Sequence, residues 1–261
     1  MNENLNGELT AYLQDLHLPA MRMNYRDVAR QAEQEAYSYE QYLHELATRE
    51  CAVRRKNRTE RLLRESELPP EKTLACFDMK RLPQKAARQV KTLLDGTFLD
   101  RKENVMVFGI PGVGKTHLLC AMGMELIHNG RRILFTTCSL LVQELLKAKR
   151  ELRLARYLKQ LSKHEGLIID EMGYVQQSRE EMEVLFTLLA ERYERGSVLL
   201  TSNLAFSKWE SIFKDPMTTA AAIDRLVHHS VIIELNIKSY RVEDAKKRQE
   251  KPEENKEEET H

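Results

Sequence analysis

No stretch of this sequence approaches the roughly 20 consecutive apolar residues that a membrane-spanning helix requires. The amino terminus, MNENLNGELTAYL, lacks the apolar core of a signal peptide. Cysteine is sparse: Cys51, Cys76, Cys120 and Cys138 are scattered, with no C-x-x-C pair and no histidine at ligand spacing. That reads as reduced thiols in a soluble, cytoplasmic protein with no membrane partner, rather than as a disulfide frame or a zinc site. Net charge is only +1, so the total favours neither an acidic nor a basic partner, and local blocks of charge carry what information there is. Glycine is rare as well, with Gly7 the only one before residue 75. What remains is 42% hydrophobic, enough for a sizeable core, and 31% charged.

Three regions differ in texture. Residues 1–75 contain no strand-like run; Leu9, Leu13 and Leu16, then Tyr39, Leu43 and Leu46, recur at helical spacing and predict a small all-helical region. It ends in a dense basic helix, RRKNRTERLLRE, and the paired prolines of LPPEKTL are expected to break that helix and act as a linker. Residues 76–242 alternate helical patterns with short apolar runs at 104–109, 132–137, 166–170, 197–203 and 230–235. Most of these runs are continuous rather than alternating, which suits strands buried on both faces of a parallel sheet, and the whole predicts a layered α/β domain with five strands. The tail over 243–261 is charged, nearly free of apolar residues, and expected to be disordered.

The strongest signal is GIPGVGKT, from Gly109 to Thr116, after an apolar run and before a helical pattern. It has the spacing G-x-x-x-x-G-K-[ST], a phosphate-binding loop that needs that context. The glycines let successive backbone N–H groups point at phosphate oxygens, Lys115 supplies a cation for the β- and γ-phosphates, and the helix adds the positive end of its dipole. Gly109, Pro111, Gly112, Val113, Gly114, Lys115, Thr116 and His117 are therefore the candidate ATP-binding residues. A chance match over this length is expected about once in a hundred chains from average residue usage.

LIIDE, from Leu167 to Glu171, is an apolar strand ending in two carboxylates. It delivers Asp170 to the carboxyl edge of the sheet, where open α/β sheets bind ligands. Thr116 and Asp170 are the candidate Mg²⁺ residues, and Glu171 is placed to polarise an attacking water. LLTSN repeats the pattern and leaves Asn203 at a strand tip, where it would orient water or touch the γ-phosphate. Arg225, in AAAIDRLVHHS, ends a helix just before the last strand and suggests an arginine finger acting on a neighbouring subunit. His228 and His229 read as surface or packing residues rather than ligands.

The ordered set GIPGVGKT, LIIDE, LLTSN and IDRL resembles the AAA+ ATPases, specifically their DnaC/IstB-like branch. Outside that core, LQDLHLPAMRMNY, YEQYL with the basic helix, KTLACFD, and SYR at Ser239–Arg241 are similar to the IstB-like helper ATPases of insertion-sequence transposition. The resemblance implies a homo-oligomer that binds ATP with Mg²⁺, hydrolyses it, assembles on duplex DNA and cooperates with a transposase. It chiefly supports the role given to Asn203, and has Trp209 as a packing anchor. Many members carry Asp-Asp-Leu-Gly where this chain has Asp170-Glu171-Met172-Gly173, but Glu is the usual AAA+ residue there. Little chain follows 230–235, so no helical lid is expected, and Arg241 would stand in for a lid arginine.

Two basic segments supply a physical case for DNA. Arg54, Arg55, Lys56, Arg58 and Arg61 lie in the basic helix, with 54, 58 and 61 on one face. Lys149, Arg153 and Arg156 in KAKRELRLARYLK are expected to form a second stripe on one helix. Clustered cations release counterions from the phosphate backbone and give salt-sensitive affinity, and neither segment carries a base-reading pattern. A DnaC-like helicase loader is the competing reading within this class; a small-molecule kinase and a nucleotide-gated scaffold without turnover are the readings outside it.

Overall fold

In the computed structural model the described residues are 2–173, 178–204, 208–209 and 216–240. The tail expected over 243–261 and the candidate lid residue Arg241 lie outside them. Two compact units divide at Arg61 and Leu62, inside a long helix.

The described residues of the first unit, 2–61, fold into helices joined by short turns: α1 Asn2–Asp15, α2 Pro19–Glu35 and the start of α3 Tyr39–Glu65. Pro19 opens α2, where its missing N–H costs nothing. The unit is centred on Tyr25, Val28 and Leu46, with Leu13, Met21 and Tyr42 packed against them. Beside this small core Glu50 is buried, and its Oε2 accepts from the N–H groups of Ala20 (2.8 Å) and Met21 (3.1 Å) in the first turn of α2. Arg54 Nε donates to the same carboxylate at 2.9 Å, and Arg54 Nη2 donates to the His17 carbonyl at 2.6 Å. Burial alone would raise this carboxyl; Arg54 and the two backbone donors outweigh it and hold the group below its ordinary value.

In the second unit, 62–261, the boundary expected near 75 moves forward because Leu62, Leu68 and Phe77 belong to its core. The helix does stop before the paired prolines, at Glu65, and the Ser66 carbonyl accepts from the Phe135 N–H at 2.8 Å. After a 3₁₀ turn at Met79–Arg81 come α4 Gln84–Leu93, α5 Thr97–Asp100, β1 Asn104–Gly109, α6 Lys115–His128, β2 Ile133–Thr137 and α7 Cys138–Arg150. Then follow α8 Leu154–Leu161, β3 Gly166–Met172, α9 Arg179–Arg192, β4 Ser197–Ser202, α10 Pro216–Val227 and β5 Ser230–Leu235.

The five strands form one sheet in the order β2-β3-β4-β1-β5, with every neighbouring pair parallel. Alternation along the central strands splits their side chains between two cores. Val105, Val107, Ile168 and Leu199 pack on the α6 side, while Met106, Leu167, Ile169, Val198 and Leu200 pack on the α7 and α9 side. Each fully buried aliphatic side chain stabilises the unit by about 1.5–3 kcal/mol relative to exposure. This is why central strands read as continuous apolar runs, whereas the outer β2 and β5 are only partly buried. Trp209 is fully buried in the second core and donates from Nε1 to the Leu204 carbonyl at 3.1 Å. Among the described residues no helix is long and apolar enough to cross a membrane.

One expected helix is two. The stripe through Lys149, Arg153 and Arg156 is interrupted because Leu152 takes a left-handed conformation, φ +55°. The Arg153 N–H then donates to the Ala148 carbonyl (2.7 Å) and the Leu152 N–H to Lys149 (3.1 Å), the pair of bonds that closes a Schellman cap. Lys149 thus sits in the last turn of α7, Arg153 just before α8, and Arg156 within α8.

Candidate active site

All five strands point their carboxyl ends the same way, so the loops after β1, β3 and β4 meet at one edge. There a pocket of about 360 Å³ is lined by Pro111, Gly112, Gly114, Lys115, Thr116 and His117, together with Asp170, Glu171, Thr201, Ser202 and Asn203. Phe77 and Tyr240 line it too.

Gly112 and Gly114 have φ +81° and +89°, a region costly for residues with a Cβ. A Cβ on Gly114 would also come within 3.2 Å of the Phe77 ring. Of the expected phosphate-binding residues, Gly109 and Val113 do not line the pocket. The Val113 side chain is buried in the core, so this residue offers only backbone, and Gly109 ends β1 against the Leu235 carbonyl. Lys115 starts α6, is 8% exposed, and donates from Nζ to the carbonyls of Gly109 (2.8 Å) and Ile110 (3.0 Å). Its ammonium therefore lies across the mouth of the loop. His117 stands edge-on to Phe77, with Nε2 2.9 Å from the Thr73 carbonyl oxygen.

Asp170 is 4% exposed, and its Oδ1 accepts from two hydroxyls, Thr116 Oγ1 at 2.9 Å and Thr201 Oγ1 at 2.5 Å. Thr201 Oγ1 in turn accepts the Glu171 N–H at 2.9 Å. The register between β3 and β4 shifts between Ile169 and Met172, and Glu171 has φ +62°. One hydroxyl on β4 thereby fixes both the direction of the Asp170 carboxylate and the turn that presents the exposed Glu171 side chain. Asn203 Oδ1 is buried without a hydrogen-bond partner among the described residues. A buried acceptor of this kind is matched by a water or a ligand donor.

The donor set fits Mg²⁺, which takes hard oxygen ligands and is bound through one or two protein groups plus phosphate oxygens. Thr116 and Asp170 are the oxygen donors available to hold it. The α6 amino terminus and the loop N–H groups suit the phosphates themselves.

Arg225 is not in this pocket. Its carbonyl lies 3.5 Å from Asn104 Nδ2, at the start of β1 and hence at the opposite edge of the sheet. The guanidinium packs 4.5 Å over the Phe186 ring, with Nη1 buried and unpartnered among the described residues.

Of the expected DNA residues, Arg55, Lys56, Arg58 and Arg61 are exposed on α3, with Lys56 4.0 Å from Glu60. Arg54 differs, being committed to buried Glu50. In the second segment Lys149 pairs with Glu183 at 3.0 Å, Arg153 pairs with Glu151, and Arg156 is exposed.

Sequence reasoning missed Thr201, whose only signal was its place in LLTSN. It also missed Arg192, 3% exposed, which donates to the carbonyls of Leu161, His164, Glu165 and Ser197 at 2.8–3.2 Å. Burial pulls this guanidinium down to about 10, so it stays charged at neutral pH. Tyr240 was singled out only by resemblance; its N–H donates to the Gly112 carbonyl at 2.9 Å, and Arg81 lies 3.8 Å over its ring.

The family described as IstB-like ATP binding protein matches residues 11–249. A Sinorhizobium fredii protein named as an insertion sequence ATP-binding protein is 42% identical over 90% of this chain and 79% of its own length. A Geobacillus stearothermophilus protein named as the ATP-binding protein of insertion sequence IS5376 is 38% identical over 92% of this chain and 96% of its own. Among solved structures, the DnaC helicase loader aligns with a TM-score of 0.51 at 17% identity, over 58% of this chain and 89% of that one. That likeness shows the fold alone.

Proposed function

The chain belongs to the IstB-like ATP-binding protein family, and from that premise we propose that it is a Mg²⁺-dependent ATPase that assembles on duplex DNA and assists the transposase of an insertion sequence. The observation that carries the ATPase reading is the chain of contacts Thr116–Asp170–Thr201–Glu171, facing Lys115 and the orphaned Asn203 Oδ1. A site for binding alone needs the loop and its lysine. It does not need a carboxylate set on a left-handed residue beside a buried, unpartnered amide oxygen.

In this reading the N–H groups from Gly112 to Thr116 wrap the ATP phosphates. Lys115 leaves the Gly109 and Ile110 carbonyls for the β- and γ-phosphate oxygens. Thr116 and Asp170 would hold a Mg²⁺ ion, which would supply neutralising charge to those oxygens. Glu171 accepts the proton of the attacking water, and Asn203 orients that water. Positioning and electrostatics account for most of such a rate, so displacing Asp170 lowers it even with the carboxylate kept.

Duplex DNA binds along α3 through Arg55, Lys56, Arg58 and Arg61, by counterion release rather than base readout. Arg225 reaches the γ-phosphate of a neighbouring subunit, which makes the active unit an oligomer. The names of the relatives support the insertion-sequence context, and their coverage of this chain includes most of the amino-terminal helices. The likeness to a helicase loader, confined to fold, does not favour that alternative.

The test measures ATP turnover with and without duplex DNA, alongside sizing of the complex. Wild type should turn over faster with DNA and enlarge. Glu171→Gln should bind ATP, stay assembled on DNA and turn over at least a hundredfold more slowly, from the usual range of general-base effects. Turnover near wild type in Glu171→Gln, or no DNA-dependent change in rate and size, would refute the proposal.

A further inference from the structure

At the amino edge of the sheet, the connections after α9 and after α10 bring Glu194, His228 and His229 together. One ligand atom from each lies within 4.8 Å of the others, and all three side chains are exposed. We propose that this trio is a binding site for a divalent transition-metal ion of the zinc type, separate from the phosphate pocket and independent of any reading of it.

The donor set is selective. Two imidazoles and a carboxylate suit zinc and its neighbours, whereas magnesium and calcium favour all-oxygen sites. Three protein ligands and an open fourth position form a common zinc arrangement, and bonds of 2.0–2.1 Å place tetrahedral ligands about 3.4 Å apart. Rotation of exposed side chains closes the remaining gap. His228 also has the outer partner that a metal-bound imidazole needs: its Nδ1 lies 3.0 Å from the Tyr193 hydroxyl oxygen. With Nδ1–H donating to that oxygen, the Nε2 lone pair is left for the ion.

The backbone that carries the three residues is already fixed. The Asn104 N–H donates to the His229 carbonyl at 2.7 Å. The Asn104 side chain donates to the Leu226 carbonyl at 3.1 Å and accepts from the Val198 N–H at 2.8 Å, tying the end of α10 to the start of β4. Glu194 sits just before β4 in a left-handed conformation, φ +58°. Such a residue at an exposed helix end is held by its surroundings rather than by its own preference. The two imidazole rings are 4.0 Å apart, centre to centre. An ion here would cross-link two connections, one of which directly follows the helix that carries Arg225.

The sequence pattern hides this site, since the histidines are adjacent and the carboxylate is more than thirty residues earlier. The test uses the full chain stripped with a chelator, free of nucleotide, with exposed Cys51 and Cys76 changed to Ser so that thiols do not compete. Calorimetry with Zn²⁺ should show one site per chain, Mg²⁺ should give none, and Co²⁺ should develop a visible tetrahedral spectrum. His228→Ala and His229→Ala should each abolish binding, and Glu194→Gln should weaken it. Tyr193→Phe, which keeps every ligand, should weaken it about 10- to 100-fold, the usual effect of losing an outer partner. The proposal is overturned if the stripped chain takes up no Zn²⁺, or if the double variant His228→Ala/His229→Ala binds as wild type does while its circular dichroism and Tm match.

Discussion

Replacing Thr201 by valine removes one hydroxyl and leaves the shape of the side chain unchanged. The residue is 1% exposed, so water cannot take the place of what is lost. Two hydrogen bonds go: the one donated to Asp170 Oδ1 at 2.5 Å and the one accepted from the Glu171 N–H at 2.9 Å. A bond to a charged acceptor contributes about 1.5–3 kcal/mol and a neutral one about 0.5–1.5, so the variant should lose about 2–4 kcal/mol. For a unit of this size 1 kcal/mol corresponds to about 2–4 °C, which places the fall in Tm between about 4 and 15 °C.

Activity is the more telling measurement. If about 1.4 kcal/mol of the loss falls on the transition state, through an Asp170 that no longer points at Thr116 and a Glu171 turn that has relaxed, kcat drops about tenfold. KM for ATP should move less, because the loop and Lys115 are untouched. Thr201→Ser restores the hydroxyl at the cost of one methyl group and should recover most of kcat. Thermal unfolding and steady-state turnover at saturating ATP decide the matter. A valine variant within about 1 °C of wild-type Tm and twofold of its kcat would show that Thr201 does not organise the carboxylates.

Glu50→Ala strips the Ala20 and Met21 N–H groups and Arg54 of their shared acceptor, and should destabilise the helical unit by about 1–3 kcal/mol in urea unfolding. Since this carboxyl is held below 4.5 in the folded chain, its contribution is present above that pH and lost as pH falls through the folded value; a wild-type acid-unfolding curve matching that of the variant would contradict this. Gly109→Ala should lower both stability and ATP affinity, because the added Cβ would sit 2.8 Å from the Leu235 carbonyl, a backbone atom that cannot swing away; calorimetry showing wild-type affinity would tell against it. Arg225→Ala mixed with Lys115→Ala should regain turnover that neither has alone, and no recovery in mixtures shown to co-assemble on DNA would dismiss the action across subunits.

Much of the second unit is legible because burial on both faces leaves its central strands no polar positions. The five runs match β1 to β5 within about two residues at either end. The expected run stops two residues short of the end of β3, since nothing in LIIDE announces that Glu171 turns left-handed before Met172 returns to the core. Helix ends were the harder problem. His17, Ala36, Leu152 and Glu194 all take positive φ at or near helix ends, where glycine is the usual signal, and this chain uses glycine sparingly. A Leu that is 94% exposed gave no warning that the basic stripe breaks at 152. Arg54 shows the limit of reading charge from sequence. Its neighbours on α3 face solvent, but it answers a carboxylate that only the fold makes buried.

The two edges of the sheet divide the chemistry in a way that constrains any account of turnover. Gly109, Asp170, Thr201 and Asn203 end or follow strands at the carboxyl edge, whereas Asn104, Arg192 and Arg225 gather at the amino edge. The six residues of β1 separate those edges by roughly 17 Å at 3.3 Å per residue. Arg225 is anchored at the far end by its carbonyl beside Asn104 and by its guanidinium on Phe186, so it cannot swing to the Lys115 loop of its own chain. Arg192 ties the same edge together through four backbone carbonyls. If Arg225 contributes to phosphate chemistry at all, the phosphate must belong to another subunit. Hydrolysis would then depend on protein concentration and on any surface, such as duplex DNA, that lines the subunits up.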